Sequence, residues 1–135
     1  MRVFTSDESK MVDVGTGSIW ISLYSTVLVA FTCEIKNSVP QAMQFLRTAC
    51  CNANATGITA EQMKSIQNSL LELSPEKAVF DWRRPKQLPP WEGNIASTVT
   101  SCANLYTTAD GQDLFTELIK LLEYAAEKKL DIVAG

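Results

Sequence analysis

Met63, Ile66, Leu70 and Leu73 recur every three or four residues and predict one apolar face of an amphipathic helix. Near the chain's end, Leu114, Leu118, Leu121, Leu122 and Ala125 repeat the pattern, with Glu117, Lys120, Glu123, Glu127 and Lys128 on the opposite face. A third segment differs in kind. Polar residues at positions 18, 22, 25, 26 and 32 keep roughly helical spacing, while the residues between them are apolar. This predicts a helix buried around most of its circumference, with one narrow wet stripe. The β-branched Ile19, Ile21, Val27, Val29 and Ile35 keep a strand open as an alternative, which the segment's length disfavours. Met43, Leu46 and Cys50 predict a further helix, and Ile95, Val99, Cys102 and Tyr106 a short one.

Start and stop signals sharpen these elements. Ser18 is a natural N-cap. Ser38-Val-Pro-Gln41 and Thr59-Ala-Glu-Gln62 read as capping boxes, with Ile58 and Met63 as a hydrophobic staple. Ser74-Pro75 stops the helix before it. Asp110 is expected to cap the last helix, with Asp113 in its first turn, where a carboxylate favours the dipole. Val3-Phe4 and Met11-Val-Asp-Val14 flank a polar turn and predict a hairpin, and Leu130-Asp-Ile-Val133 alternates like a closing strand. Gly15-Thr-Gly17 lacks the third glycine and the Gly-Lys-Ser/Thr of a phosphate loop, so it turns the chain from strand to helix.

Residues 80–95 break all periodicity. Two of three tryptophans and three of five prolines fall there, and proline neither donates to a ladder nor continues a helix interior. A loop this long needs its own anchors, and Trp82 and Trp91 each have about 200 Å² to bury. A belt strapped over a helical core and a loop presenting its tryptophans to a partner both remain open. The predicted fold is α+β, one domain over residues 1–135. Four or five helices pack on a small, mainly antiparallel sheet formed near the termini, with residues 79–82 or 105–108 contributing.

Composition narrows the chemistry. At 46% hydrophobic and 20% charged, 135 residues suffice for one ordered domain with a real core. A net charge of −3 argues against a nucleic-acid partner and fits a basic protein partner weakly. Histidine is absent, which removes Ser-His-Asp and Cys-His catalysis and the commonest zinc ligand. Arg83-Arg84 beside the tryptophans makes a feeble case for nucleotide stacking. Cys33, Cys50, Cys51 and Cys102 show no CxxC spacing and lie in apolar segments, so buried, reduced thiols and a cytoplasmic location are expected. The apolar run at 19–31 is too short to span a bilayer, and its acidic flank does not suit an export signal. No catalytic residue, metal or cofactor is expected. A homo-oligomer is possible but has no support in the sequence.

Several stretches resemble the immunity-protein 70 family: Leu73-Ser-Pro-Glu-Lys-Ala-Val-Phe-Asp-Trp82, Pro89-Pro-Trp-Glu-Gly-Asn-Ile95 and Tyr106-Thr-Thr-Ala-Asp-Gly-Gln-Asp-Leu-Phe115. Glu123-Tyr-Ala-Ala-Glu-Lys-Lys129 and Gly15-Thr-Gly-Ser-Ile-Trp20 are similar too. The resemblance implies a non-enzymatic cytoplasmic protein of a bacterial polymorphic toxin system. Such a protein binds a cognate toxin domain stoichiometrically and needs no cofactor, nucleic acid or membrane. The alternative is a small intracellular enzyme or ligand-binding domain using a cleft beneath the Trp91 loop. Because folding accounts for the apolar stripes, a basic toxin would meet exposed carboxylates. Asp7, Glu8, Asp110, Asp113 and Glu117 are the candidates, with solvation and helix capping as their other explanation.

Overall fold

The computed structural model describes residues 1–135. Strand β1 (Arg2–Thr5) pairs antiparallel with β2 (Met11–Asp13), Val3 opposite Val12, as the hairpin pattern predicts. The closing strand β3 (Ile132–Ala134) joins the other edge of β1, Thr5 opposite Ile132. The result is a three-stranded antiparallel sheet in the order β2-β1-β3, built from the two termini. Residues 79–82 and 105–108 do not join it, contrary to expectation. Thr107 makes only an isolated bridge to Asp113.

Five helices follow: α1 (Gly17–Ala30), α2 (Cys33–Ser38), α3 (Pro40–Thr48), α4 (Thr56–Leu70) and α5 (Leu114–Lys128). The fold is therefore α+β. Helices α4 and α5 carry the core, and their predicted stripes hold except at Leu73, which lies beyond the end of α4 and is half-buried. Met63, Ile66 and Leu70 are buried, as are Leu114, Leu118, Leu121, Leu122 and Ala125. On α1, Trp20 meets Phe45 edge-on and donates its indole N–H to the Leu46 carbonyl at 2.6 Å. None of the helices is long and apolar enough to cross a membrane.

The polar stripe of α1 reverses the expectation. Ser22, Ser25 and Thr26 are fully buried, while Val29 is 59% exposed. The stripe faces the proline-rich strap rather than water. Ser22 Oγ donates to the Val79 carbonyl at 2.8 Å, Val79 N donates to Thr26 Oγ1 at 2.9 Å, and Trp82 N donates to Ser25 Oγ at 2.9 Å. An irregular segment leaves backbone groups unpaired, and these hydroxyls satisfy them where water is excluded.

Most capping expectations are corrected by tertiary contacts. Thr16, not Ser18, is the N-cap of α1, and α1 ends at Ala30 because Phe31 is extended and Thr32 caps α2. The N-terminus of α3 has no local cap. Gln62 of α4 instead accepts from Gln41 N at 2.8 Å and Ala42 N at 3.0 Å, while Ser38 Oγ turns back to the Ile35 carbonyl. Thr59 lies inside α4, which starts at Thr56, and Ile58 is 59% exposed, so neither the second capping box nor the staple forms.

Residues 95–106 form successive turns, not the predicted helix. The Asn104 side chain accepts from Thr100 N and Ser101 N, and Cys102 N donates to the Leu73 carbonyl. Asp113, not Asp110, caps α5. The thiols are all free, but only Cys102 is buried; Cys51 is half-buried, and Cys33 and Cys50 are exposed, against expectation.

Candidate functional site

Strand alternation places Met11 and Asp13 on one side of β2, away from buried Val12. Met11 is 53% exposed and borders three depressions. The first, a groove of about 390 Å³, is lined by Met11, Asp13, Asp110, Gln112 and Glu117 among others, and no lysine or arginine lines it. The second, about 620 Å³, is lined by Met1, Arg2, Phe4, Glu8, Met11 and Gly135. The third runs toward Lys10, Lys120 and Tyr124.

The groove is fixed by main-chain bonds. Ala109 N donates to the Asp13 carbonyl at 2.8 Å, tying the turn before α5 to β2. The Asp13 carboxylate accepts from Gly15 N at 2.9 Å, where Gly15 adopts φ +87° that a side chain would strain. Asp110 accepts a hydrogen bond from Thr108 Oγ1 and remains exposed. Half-buried Glu117 lies 3.6 Å from Lys120 Nζ.

The predicted site residues thus separate. Asp110 and Glu117 share the groove, and Glu8 reaches the same face from the other side of Met11. Asp113 lines neither depression; one carboxylate oxygen accepts from Thr116 N and Oγ1, and the other is buried without a partner. Asp7 organises the β1–β2 turn, accepting from Ser9 Oγ, Ser9 N and Thr5 Oγ1. These bonds, the Ser9 hydroxyl foremost, hold its carboxyl below the usual range. Asp13 was missed by the sequence reading, although its two-residue spacing from Met11 signals a shared strand face.

The strap divides its tryptophans. Trp91 packs edge-on against Phe80 and Tyr106, with ring centroids 6.1 Å apart in each pair. Trp82 is 47% exposed. The anticipated cleft beneath the Trp91 loop is occupied by these rings, and Trp91 lines none of the five main depressions. The remaining sizeable groove, about 520 Å³, lies between α1, α2 and α3 and is lined by Tyr24, Leu28, Lys36, Met43 and Arg47 among others. No three Cys, Asp or Glu side chains converge as a metal site would require.

Neither a curated protein nor a solved structure matches the chain. Residues 4–134, including both sheet-forming termini, the strap and the acidic groove, match the family described as Immunity protein 70. The match leaves only residues 1–3 and 135 outside it, and the chain belongs to the immunity protein 70 family.

Proposed function

We propose that residues 1–135 act as a single immunity-type domain that neutralises a cognate toxin domain of a bacterial polymorphic toxin system by stoichiometric binding. The observation that carries the location is the groove beside Met11, where Asp13, Asp110 and Glu117 converge and only Glu117 has an ion-pair partner, Lys120 at 3.6 Å. A carboxylate cluster speeds encounter with a basic surface, and an adaptable exposed methionine supplies apolar contact. Glu8 extends the face, while Asp7 and Asp113 hold the turns that present it. A specific interface buries about 1,600 Å² in total, so Met1 and Phe4 in the adjoining depression belong to it as well. The reading places the protein in the cytoplasm and needs no cofactor, membrane or nucleic acid.

The test is co-expression with the toxin domain encoded beside it, scoring growth rescue and co-purification. Glu8→Lys, Asp110→Lys and Glu117→Lys are then combined, sparing Asp7, which holds the β1–β2 turn, and the capping Asp113. The triple variant is expected to fold, to bind more weakly and to lose part of the salt dependence. Failure of the wild type to rescue growth or form a complex removes the function. Unchanged affinity in the folded triple variant removes this face.

A further inference from the structure

The strap's outer surface is not used by the reading above. Across residues 80–95 stand three cations, Arg83, Arg84 and Lys86, and two carboxylates, Asp81, which Arg83 already engages at 2.9 Å, and Glu92. Trp82 is 47% exposed and Leu88 69%. These apolar groups sit on a frame that is held in place. Val79 and Trp82 are bonded to α1, Arg84 N donates to the Asp81 carbonyl, Gln87 N donates to the Arg84 carbonyl, and Trp91 is wedged between Phe80 and Tyr106. Exposed tryptophan and arginine on a preorganised loop lose little entropy on docking and are the residue types that dominate interface energies.

The chain itself carries the complementary surface. The Met11 groove has three carboxylates, of which Asp13 and Asp110 make no ion pair and Glu117 pairs with Lys120 at its edge, beside the exposed Met11 side chain. We propose that the strap docks on the Met11 face of a second copy. Trp82 and Leu88 lie against Met11, and Arg84 and Lys86 face Asp110 and Glu117. A twofold dimer makes this contact twice, strap to groove and groove to strap, which closes the assembly. The dimer does not depend on the toxin reading. Under that reading it covers the toxin-binding face and opens when the toxin arrives.

Sedimentation analysis of the full chain over a range of concentrations, at low and high salt, reads the association. The wild type is expected to dimerise, more weakly at high salt. Trp82→Ala, at an exposed position that leaves the core intact, is expected to weaken the dimer about 30-fold or more. Arg84→Glu with Lys86→Glu forms one charge-reversed variant, and Asp110→Lys with Glu117→Lys the other. Each is expected to be monomeric alone, and an equimolar mixture to associate as a heterodimer, because one contact is then reversed on both sides and the other is unchanged from wild type. A wild type that stays monomeric throughout, or a dimer unchanged by Trp82→Ala and by strap reversal, overturns the proposal. Circular dichroism of each variant confirms the fold, and the Trp82→Ala arm stands if a reversed variant fails to fold.

Discussion

The hydroxyls of Thr26 and Tyr106 meet 2.8 Å apart in the interior, joining positions separated by 80 residues. Ser22 Oγ lies 3.0 Å from the same Tyr106 oxygen. Helix α1, the Val79 backbone and the turns before α5 are thereby linked by one buried polar cluster, which explains how a segment without regular structure holds a defined course. Such clusters stabilise when every member is partnered and cost heavily when one is lost.

Tyr106→Phe removes the shared hydroxyl and leaves Ser22 and Thr26 bonded only to the strap backbone. A loss of about 1–2 kcal/mol is expected in denaturant titration. Proteolysis within the strap should accelerate in step. A variant as stable as wild type would show that the strap is held by ring packing alone.

Alkaline pH should destabilise the fold. Burial pushes the Tyr106 phenol from 10.0 up to about 12, and burial first, with Glu76 second, pushes the Cys102 thiol from 9.0 up to about 11. Both are neutral in the folded chain, whereas the unfolded chain releases these protons near the ordinary values. Their stabilising contribution is therefore complete below pH 9 and is lost progressively between pH 9 and 12. Denaturation midpoints across that window should fall, and Tyr106→Phe should flatten the part above pH 10.

The two strap tryptophans should behave oppositely. Trp91→Ala empties the space between Phe80 and Tyr106 and is expected to cost about 2–4 kcal/mol, somewhat less than a fully buried ring. Trp82→Ala should change monomer stability by no more than about 0.5 kcal/mol, because its side chain is largely in solvent. Thermal melts at high salt and low concentration, where association is suppressed, compare them directly.

Gln62→Ala should fray the start of α3. It removes the acceptor for Gln41 N and Ala42 N, and about 1 kcal/mol is expected, the scale of an ordinary N-cap. Hydrogen exchange should report faster amides at 41 and 42, with α5 unaffected.

The stripes of α4 and α5, the terminal hairpin and the irregular strap were legible because each rests on a local cause. Periodicity marks the face that must leave water, and proline forbids a ladder wherever it stands. The carboxylates of the Met11 face were legible only in part. Asp110 and Glu117 were found as exposed acids near a helix start, but their meeting with Asp13 depends on the turn at Ala109 bonding across to β2. Other features had no local cause to read. Ser22, Ser25 and Thr26 have the spacing of a wet stripe and became buried because distant backbone groups needed hydroxyl partners. The cap of α3 lies 20 to 21 residues away on α4. Trp82 and Trp91 sit in similar proline-rich surroundings, and Trp91 packs inward against Phe80 and the distant Tyr106 while Trp82 stays in solvent. The sequence by itself determined which segments are regular and which faces are apolar, since propensity and period act between near neighbours. Tertiary structure alone decided which polar groups are buried, because a hydrogen-bond partner can come from any part of the chain.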